Sequence, residues 1–327
     1  MMGQKPKISI IVVNYNGVDL LKECLESLLN QNFKSFEIIL VDNGSSDGSV
    51  AYLKKYFKTV RIIELNQNLG FAKANNIGIE ASLGEKIALI NNDAVADRYW
   101  LKHLSQAIDN DTQCGFCASK ILNYWDHSLL DAAGDQLGLA RAYKRGHDEN
   151  DGPKYSKYEN VFGACACAAL YRKSMLEDIG LFDEDFVSNL EDFDLSFRAQ
   201  LKRYKCVYVP DARVYHKIGE TKKKINWSGR LTYRNNKLFW LKNAPFPLLI
   251  RYCPKVFMDD IKLLYGSFRR AFSKEPQDSF RAFFTIVFAN FEVLLMLPKT
   301  LKKRWAIQKN RIVTTEYILE SIQIKKK

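Results

Sequence analysis

Short apolar runs that break off in polar clusters dominate the first third of the chain. Ile8–Val13 stops at Asn14-Tyr15-Asn16-Gly17, Phe36–Val41 at Asp42-Asn43-Gly44-Ser45, Val60–Leu65 at Asn66-Gln67-Asn68, and Ile87–Ile90 at Asn91-Asn92-Asp93. Uninterrupted apolar runs of this length predict strands buried on both faces, as in a parallel sheet covered by helices. Between them the period changes. Leu20, Leu21, Cys24, Leu25, Leu28 and Leu29 recur at helical spacing over Asp19–Asn30, with Asp19 placed to cap the helix, and a glycine-bearing loop ending at Gly70 leads into another. The order β-α-β-α-β-α-β gathers three polar strand ends, Asn14, Asp42 and Asn91–Asp93, at the carboxyl edge of one sheet, where α/β folds bind ligands.

Further along, Gly115–Leu122 reads as a strand, and Asn123–Asn160 as a long irregular stretch of the kind that is usually functional or mobile. Val161–Arg172 is a small-residue segment that lets backbone come close to a ligand. Ser174–Gly180 is a short helix. Glu191-Asp192-Phe193-Asp194-Leu195 opens a longer one, with its acids where the helix dipole favours negative charge. Cys206–Val209 and Ala212–Tyr215 flank Pro210-Asp211 and deliver His216 at a strand end. After Lys222-Lys223-Lys224 three helical stretches follow, through Tyr233–Lys242, Leu248–Phe272 and Phe280–Leu297. The last falls short of the roughly 20 apolar residues that span a bilayer, so these helices are expected to lie on a membrane rather than cross it.

Charge sharpens this division. The 327-residue chain has a formal charge of +12, but residues 1–212 hold 24 basic and 29 acidic side chains against 25 and 8 in residues 213–327. A slightly acidic catalytic part followed by a basic part that meets an anionic surface is the natural reading. Lys299, Lys302, Lys303, Arg304, Lys309 and Arg311, completed by Lys325–Lys327, form the polybasic flank. Basic residues alternating with aliphatic stretches, and no nucleic-acid module, argue against a nucleic-acid partner. Seven scattered cysteines predict reduced, structural thiols. Cys114 and Cys117, three apart on a strand, are expected on opposite faces. No secretory leader is seen before Ile8, so a cytoplasmic location is expected.

Neither G-x-G-x-x-G nor G-x-x-x-x-G-K-[ST] occurs, which disfavours dinucleotide enzymes and P-loop NTPases. Instead I-S-I-I-V-V-N-Y-N-G, V-D-N-G-S-S-D-G-S, N-L-G-F-A-K-A-N-N-I-G and L-I-N-N-D-A, in this order and spacing, resemble the inverting family 2 glycosyltransferases of GT-A fold, particularly the bacterial rhamnosyltransferase-like branch. The resemblance runs to about His216. It implies a GT-A catalytic domain over residues 1–220, divided into a nucleotide-binding half (1–97) and an acceptor and catalytic half (98–220), with residues 221–327 as a helical, basic, membrane-associating extension. It further implies a dTDP- or UDP-sugar donor, a lipid-linked or cell-surface glycan acceptor, and a divalent cation, Mg²⁺ or Mn²⁺, held by Asp93, Asn91 and His216. Asn14, Asp42, Gly44, Lys73 and Asn92 are the expected donor contacts. The resembled E-D-x-D-L motif makes Asp192, or failing it Glu191, the catalytic base, and the small-residue segment lines the sugar pocket. The expected location is the inner face of the bacterial plasma membrane. One departure stands out: Arg203 occupies the place of the family's helix-ending glycine. The alternatives from the residues are a nucleotidyltransferase acting on sugar phosphates and a basic nucleic-acid- or membrane-binding protein. The first lacks its Gly-rich N-terminal loop.

Overall fold

The structure is a computed structural model that describes residues 5–138, 141–220, 229–271 and 276–321. The expected domain boundary at 220/221 and the terminal Lys325–Lys327 lie outside them. The chain divides into two compact units, one of residues 1–136 and 143–226, the other of residues 137–142 and 227–327.

In the first unit the expected alternation is present: β1 (Ile8–Asn14), α1 (Val18–Leu29), β2 (Phe36–Asp42), α2 (Ser49–Tyr56), β3 (Arg61–Glu64), α3 (Phe71–Glu80) and β4 (Lys86–Ile90). β5 (Ala94–Ala96), α4 (Trp100–Asn110), β6 (Cys114–Asn123), β7 (Leu130–Ala133), β8 (Asp135–Gly138), β9 (Arg141–Lys144), β10 (Glu159–Val161), β11 (Ala168–Arg172), α5 (Lys173–Ile179), α6 (Glu191–Leu201) and β12 (Lys205–His216) follow. The main sheet runs β10-β12-β6-β11-β4-β1-β2-β3. β4, β1, β2 and β3 are parallel, and β11 lies antiparallel between β4 and β6. Alternate strand residues enter two cores: Ile10, Leu40 and Ala88 meet α1 and α4 on one face, while Ile11, Ile39 and Leu89 meet α3, α5 and α6 on the other. Burial on both faces is why these strands carry no polar alternation.

Several expectations need correction. Asp19 does not cap α1. The helix starts at Val18, whose N–H is taken by Asp47 Oδ2 from the β2–α2 loop at 2.9 Å. Cys114 and Cys117 do not face apart: a register irregularity where β6 pairs with Lys205/Cys206 turns both thiols into the same core, with sulfurs 3.6 Å apart. Residues 123–160 are not one irregular loop, since they contain β7, β8, β9 and most of β10. Arg203 stands at φ 61°, so the left-handed turn after α6 is kept without glycine.

The second unit includes α7 (Arg230–Asn243), α8 (Phe246–Ala271), α9 (Pro276–Asn310) and α10 (Thr315–Ser321), with α9 packed along α7 and α8. Lys237, on α7, pairs with Asp260 of α8 at 2.7 Å and also donates to Asn290 of α9. The expected helix end at Leu297 is wrong, because α9 continues through Pro298. Its second half is anchored: Arg304 donates to the carbonyls of Leu241 and Ala244, and Gln308 to that of Asn243, satisfying carbonyls at the end of α7 that lack helical partners. Within α9, Ala282–Asn310 is long and apolar enough to cross a membrane by length and composition. Phe284, Phe288, Phe291, Leu294 and Leu295 along it are exposed.

Candidate active site

The in-register pairing of β1 with β2 sets Asn14 beside Asp42. The Asn14 amide donates to Asp42 Oδ1 (3.0 Å) and Ser45 Oγ (3.2 Å), and accepts from the Asn92 amide at 2.8 Å. Asp42 Oδ2 accepts the Ser45 N–H at 2.9 Å. Three strand ends are thereby braced in one buried net, with Asn14 and Asn92 inside it. A side chain at Gly17 would run into this net, since its Cβ would fall 2.3 Å from Asn92 Nδ2. Gly44 turns at φ 79° against the backbone of Gln67. Lys73, at the start of α3, is half-exposed and ion-paired with Glu184 at 3.1 Å.

At the end of β4, Asn91 is fixed by its main chain, the N–H donating to the Cys167 carbonyl (2.9 Å) and the carbonyl accepting from Ala94. Asp93 is buried. His216, delivered by β12, presents Nε2 to Asp93 Oδ1 at 3.2 Å and Nδ1 to Asp131 Oδ2 at 2.9 Å. Burial alone would lower the His216 pKa, but Cys167, Asp131 and Asp93 around it hold it well above its ordinary value. Asp131 is wholly buried on β7 and also takes both oxygens to Lys144 Nζ at 2.9 Å, with His147 Nδ1 3.3 Å away. Burial pushes its carboxyl upward, yet His147, His216 and Lys144 bring it far below the usual carboxylate range.

The segment Cys165-Ala166-Cys167 joins this cluster to the second one. Cys167 accepts from Asn91, and one residue back the Ala166 N–H donates to Asp192 Oδ2 at 3.1 Å. Asp192 is held also by the Phe193 N–H at 2.8 Å. Of the acids opening α6, Asp194 is fully buried against Arg198 (3.0 Å) and Glu191 is buried, while Asp192 alone retains partial exposure. Burial raises the Asp192 pKa, and burial plus the Asp192 charge raises that of Glu191 well above the carboxylate range. Asp135 lies next to this group, its N–H donating to the Gly163 carbonyl. Among the described residues neither Asp135 oxygen has a hydrogen-bond partner, nor do Glu191 Oε2, the Tyr171 hydroxyl or Ser196 Oγ. Burial, then the Asp192 charge, drives the Asp135 pKa well up.

Two acidic clusters about a hundred positions apart in sequence are therefore held by adjacent residues of one short segment. Residues 9–180 match the Glycosyl transferase family 2 domain. The chain belongs to that family. With the family goes the enzyme class, a glycosyltransferase. The EpsH protein of Bacillus subtilis (strain 168), named as a glycosyltransferase, is 28% identical over 256 residues, 73% of this chain and 71% of its own. A glycosyltransferase named RP339 of Rickettsia prowazekii (strain Madrid E) is 28% identical over 196 residues, 59% of this chain and 58% of its own. Among solved structures, GalNAc-T7 with UDP, GalNAc and Mn²⁺ shares the fold, with a TM-score of 0.61 at 16% identity, covering 88% of this chain and 55% of that one. The family 2 chain has the GT-A fold. It spans little more than half the length of the last two.

The structure brings the expected Asp93 and His216 together and sets Asp192 on the neighbouring segment, and adds Asp131, Lys144 and Asp135, which the sequence did not single out. A buried acid repeated in D-A-A-G-D, within a stretch otherwise taken as irregular, was the available signal.

Proposed function

We propose that this family 2 enzyme transfers a sugar from a nucleotide-diphosphate donor to a hydroxyl of a lipid-linked or cell-surface glycan, by one displacement that inverts the anomeric carbon. The observation that carries the reading is the Cys165–Cys167 segment, whose adjacent residues Cys167 and Ala166 hold Asn91 and Asp192. A carboxylate base and a polyanion-neutralising strand end within a few ångströms of backbone are what glycosyl transfer to a hydroxyl requires.

Asp192 takes the acceptor proton. Its partial exposure leaves it reachable, two backbone N–H groups hold it, and burial makes it a stronger base than a free carboxylate. Asp42 and Gly44 bind the base and ribose side of the donor, on strand ends that Asn14 and Asn92 brace. Lys73 meets the diphosphate by exchanging Glu184 for it. Asp93, His216 and Asn91 would hold a divalent cation. The donor set fits one: two groups 3.2 Å apart suit neighbouring positions around an ion with ligands at roughly 2.1 Å. Among the described residues no group of three or more His, Cys, Asp and Glu is placed to hold an ion, so the substrate phosphates would have to complete its shell. When bound, such an ion offsets the negative charge that develops on the departing diphosphate. The UDP and Mn²⁺ in the solved GalNAc-T7 structure support this reading.

The donor is a dTDP- or UDP-sugar, with dTDP-rhamnose the choice suggested by the motif set. Residues 1–220 do the chemistry. Residues 221–327 hold the enzyme on the inner face of the plasma membrane, the exposed apolar side of α9 against lipid and the basic flank against anionic headgroups. A panel of dTDP-, UDP- and GDP-sugars, with and without Mn²⁺, tests the donor by thermal shift, because a ligand that binds the native state raises its melting temperature. One nucleotide should stand out, more so with Mn²⁺. If none shifts the melting point, the donor reading fails. NMR of the product anomer tests inversion.

A further inference from the structure

We propose that Asp131 positions His216 as a cation ligand, an inference that rests on the cation reading above. The geometry comes first. β7 pairs antiparallel with β6 through Ala132↔Ile121 and Leu130↔Leu122, so two steps on β7 face one on β6 and Asp131 is the extra residue of a bulge. Bulges re-aim a side chain, and this one sends a carboxylate onto the imidazole of β12, the strand on the other side of β6.

Its consequence is a fixed ring. With Nδ1 held on Asp131 Oδ2 at 2.9 Å, the imidazole cannot turn over, and Nε2 is left directed at Asp93. A carboxylate on the far nitrogen of a metal-binding histidine sets the ring's tautomer and makes the near nitrogen a better donor. A wholly buried carboxylate would be too costly to keep charged by itself, and Lys144, bonded to both oxygens, supplies the opposing charge. His147 closes the other side of Asp131 Oδ1. The arrangement Lys144–Asp131–His216–Asp93 is thus a continuous chain of contacts, half-buried at Lys144 and buried from Asp131 onward, that ends at the candidate cation site. It is more than packing, since an apolar residue at position 131 would fill the same bulge without constraining the histidine.

The test measures Mn²⁺ binding by the free-ion EPR signal on the full chain, with Mn²⁺ alone and with Mn²⁺ plus UDP after subtracting the nucleotide's own uptake. Asp131→Asn and Asp131→Ala should each weaken Mn²⁺ binding about 10- to 100-fold. His216→Ala should weaken it as well, and adding Asp131→Ala to His216→Ala should weaken it no further, because one residue acts through the other. Lys120→Met is the control for general damage. It breaks the nearby buried Lys120–Asp151 pair (2.7 Å), away from the histidine, and should lower the melting temperature while leaving Mn²⁺ affinity unchanged. If wild type takes up no Mn²⁺ under either condition, the cation reading itself fails. If wild type binds and both Asp131 variants bind equally well, or if the Asp131 and His216 losses simply add, Asp131 is structural and the inference is overturned.

Discussion

Asp192, half-buried, and Asp135, wholly buried, are acids with raised pKa values, and they should answer mutation in opposite ways. Asp192→Asn should reduce turnover by about 10²- to 10⁴-fold with donor affinity nearly unchanged, because a general base acts only in the chemical step. As pH falls through the raised Asp192 pKa the base is protonated and the rate drops. The wild-type profile should therefore show an acidic limb above the ordinary aspartate range, absent from Asp192→Asn. A full limb in the variant would give the proton to another group. Glu191→Gln should affect turnover less. Asp135 has no partner among the described residues, and its folded-state pKa is raised. The folded chain then keeps a proton that the unfolded chain loses near pH 4, so this acid lowers stability as pH rises between the two pKa values. Asp135→Asn should melt higher than wild type by a margin that widens from pH 5 to pH 8. A margin that is flat or shrinks would show that Asp135 is ionised in the fold. Asp93, His216 and Asp192 were legible because each ends an apolar run or opens a helix. Asp131 and Asp135 were not, since strands of four residues with Asp, Gln and Gly among them leave no period to read.

Among the elements, the entry to α6 carries the most backbone strain. Val187 (φ 61°, ψ −64°) is the centre of a γ-turn closed by the Ser188 N–H on the Phe186 carbonyl, Asn189 (φ 71°) and Leu190 (φ 65°) also have positive φ, and a branched side chain at such a position is unusual. The loop is latched to α3: the Val187 carbonyl accepts the Ala72 N–H at 3.1 Å, and a Cβ on Gly70 would fall 2.7 Å from Val187 Cγ1. Gly70→Ala should lower stability by more than the ~1–2 kcal/mol of a left-handed alanine, and should lower turnover too, because displaced Val187 leads directly into the base. Gly48→Ala provides the comparison. Gly48 has a similar φ of 87° but lies in the left-handed helical region at ψ 4°, where Gly70 stands at ψ 168°, and nothing is within 4 Å of its Cβ, so it sets the loss of a left-handed alanine with neither the clash nor the glycine-only ψ. Equal losses of stability in the two variants would mean that the Gly70–Val187 contact yields freely. The parallel strands β1, β2 and β4 were readable because burial on both faces writes itself as unbroken apolar sequence. Arg203 taught the reverse, since a left-handed turn persists without the residue type that usually signals it.

Across the whole molecule, charge and exposed apolar area point the same way. The basic excess lies in residues 213–327, and α9 exposes Phe284, Phe288, Phe291, Leu294 and Leu295. The full chain should float with liposomes containing anionic lipid, less well as salt rises, and Phe288→Glu with Leu294→Glu should release it. Salt-independent binding would favour insertion over surface attachment, a distinction the longer α9 makes worth drawing. Composition showed where the chain changes character but could not show how long α9 is, because a proline at 298 usually signals an end and here tertiary bonds from Arg304 and Gln308 carry the helix past it.

The cysteines offer an experimental handle. Six of the seven thiols are buried, and only Cys253, on α8, is exposed. Unmutated protein should accept one maleimide per chain while folded and seven when denatured. A polarity-sensitive dye attached at Cys253 would then report, without any engineered site, whether the helical unit passes from water to lipid when vesicles are added.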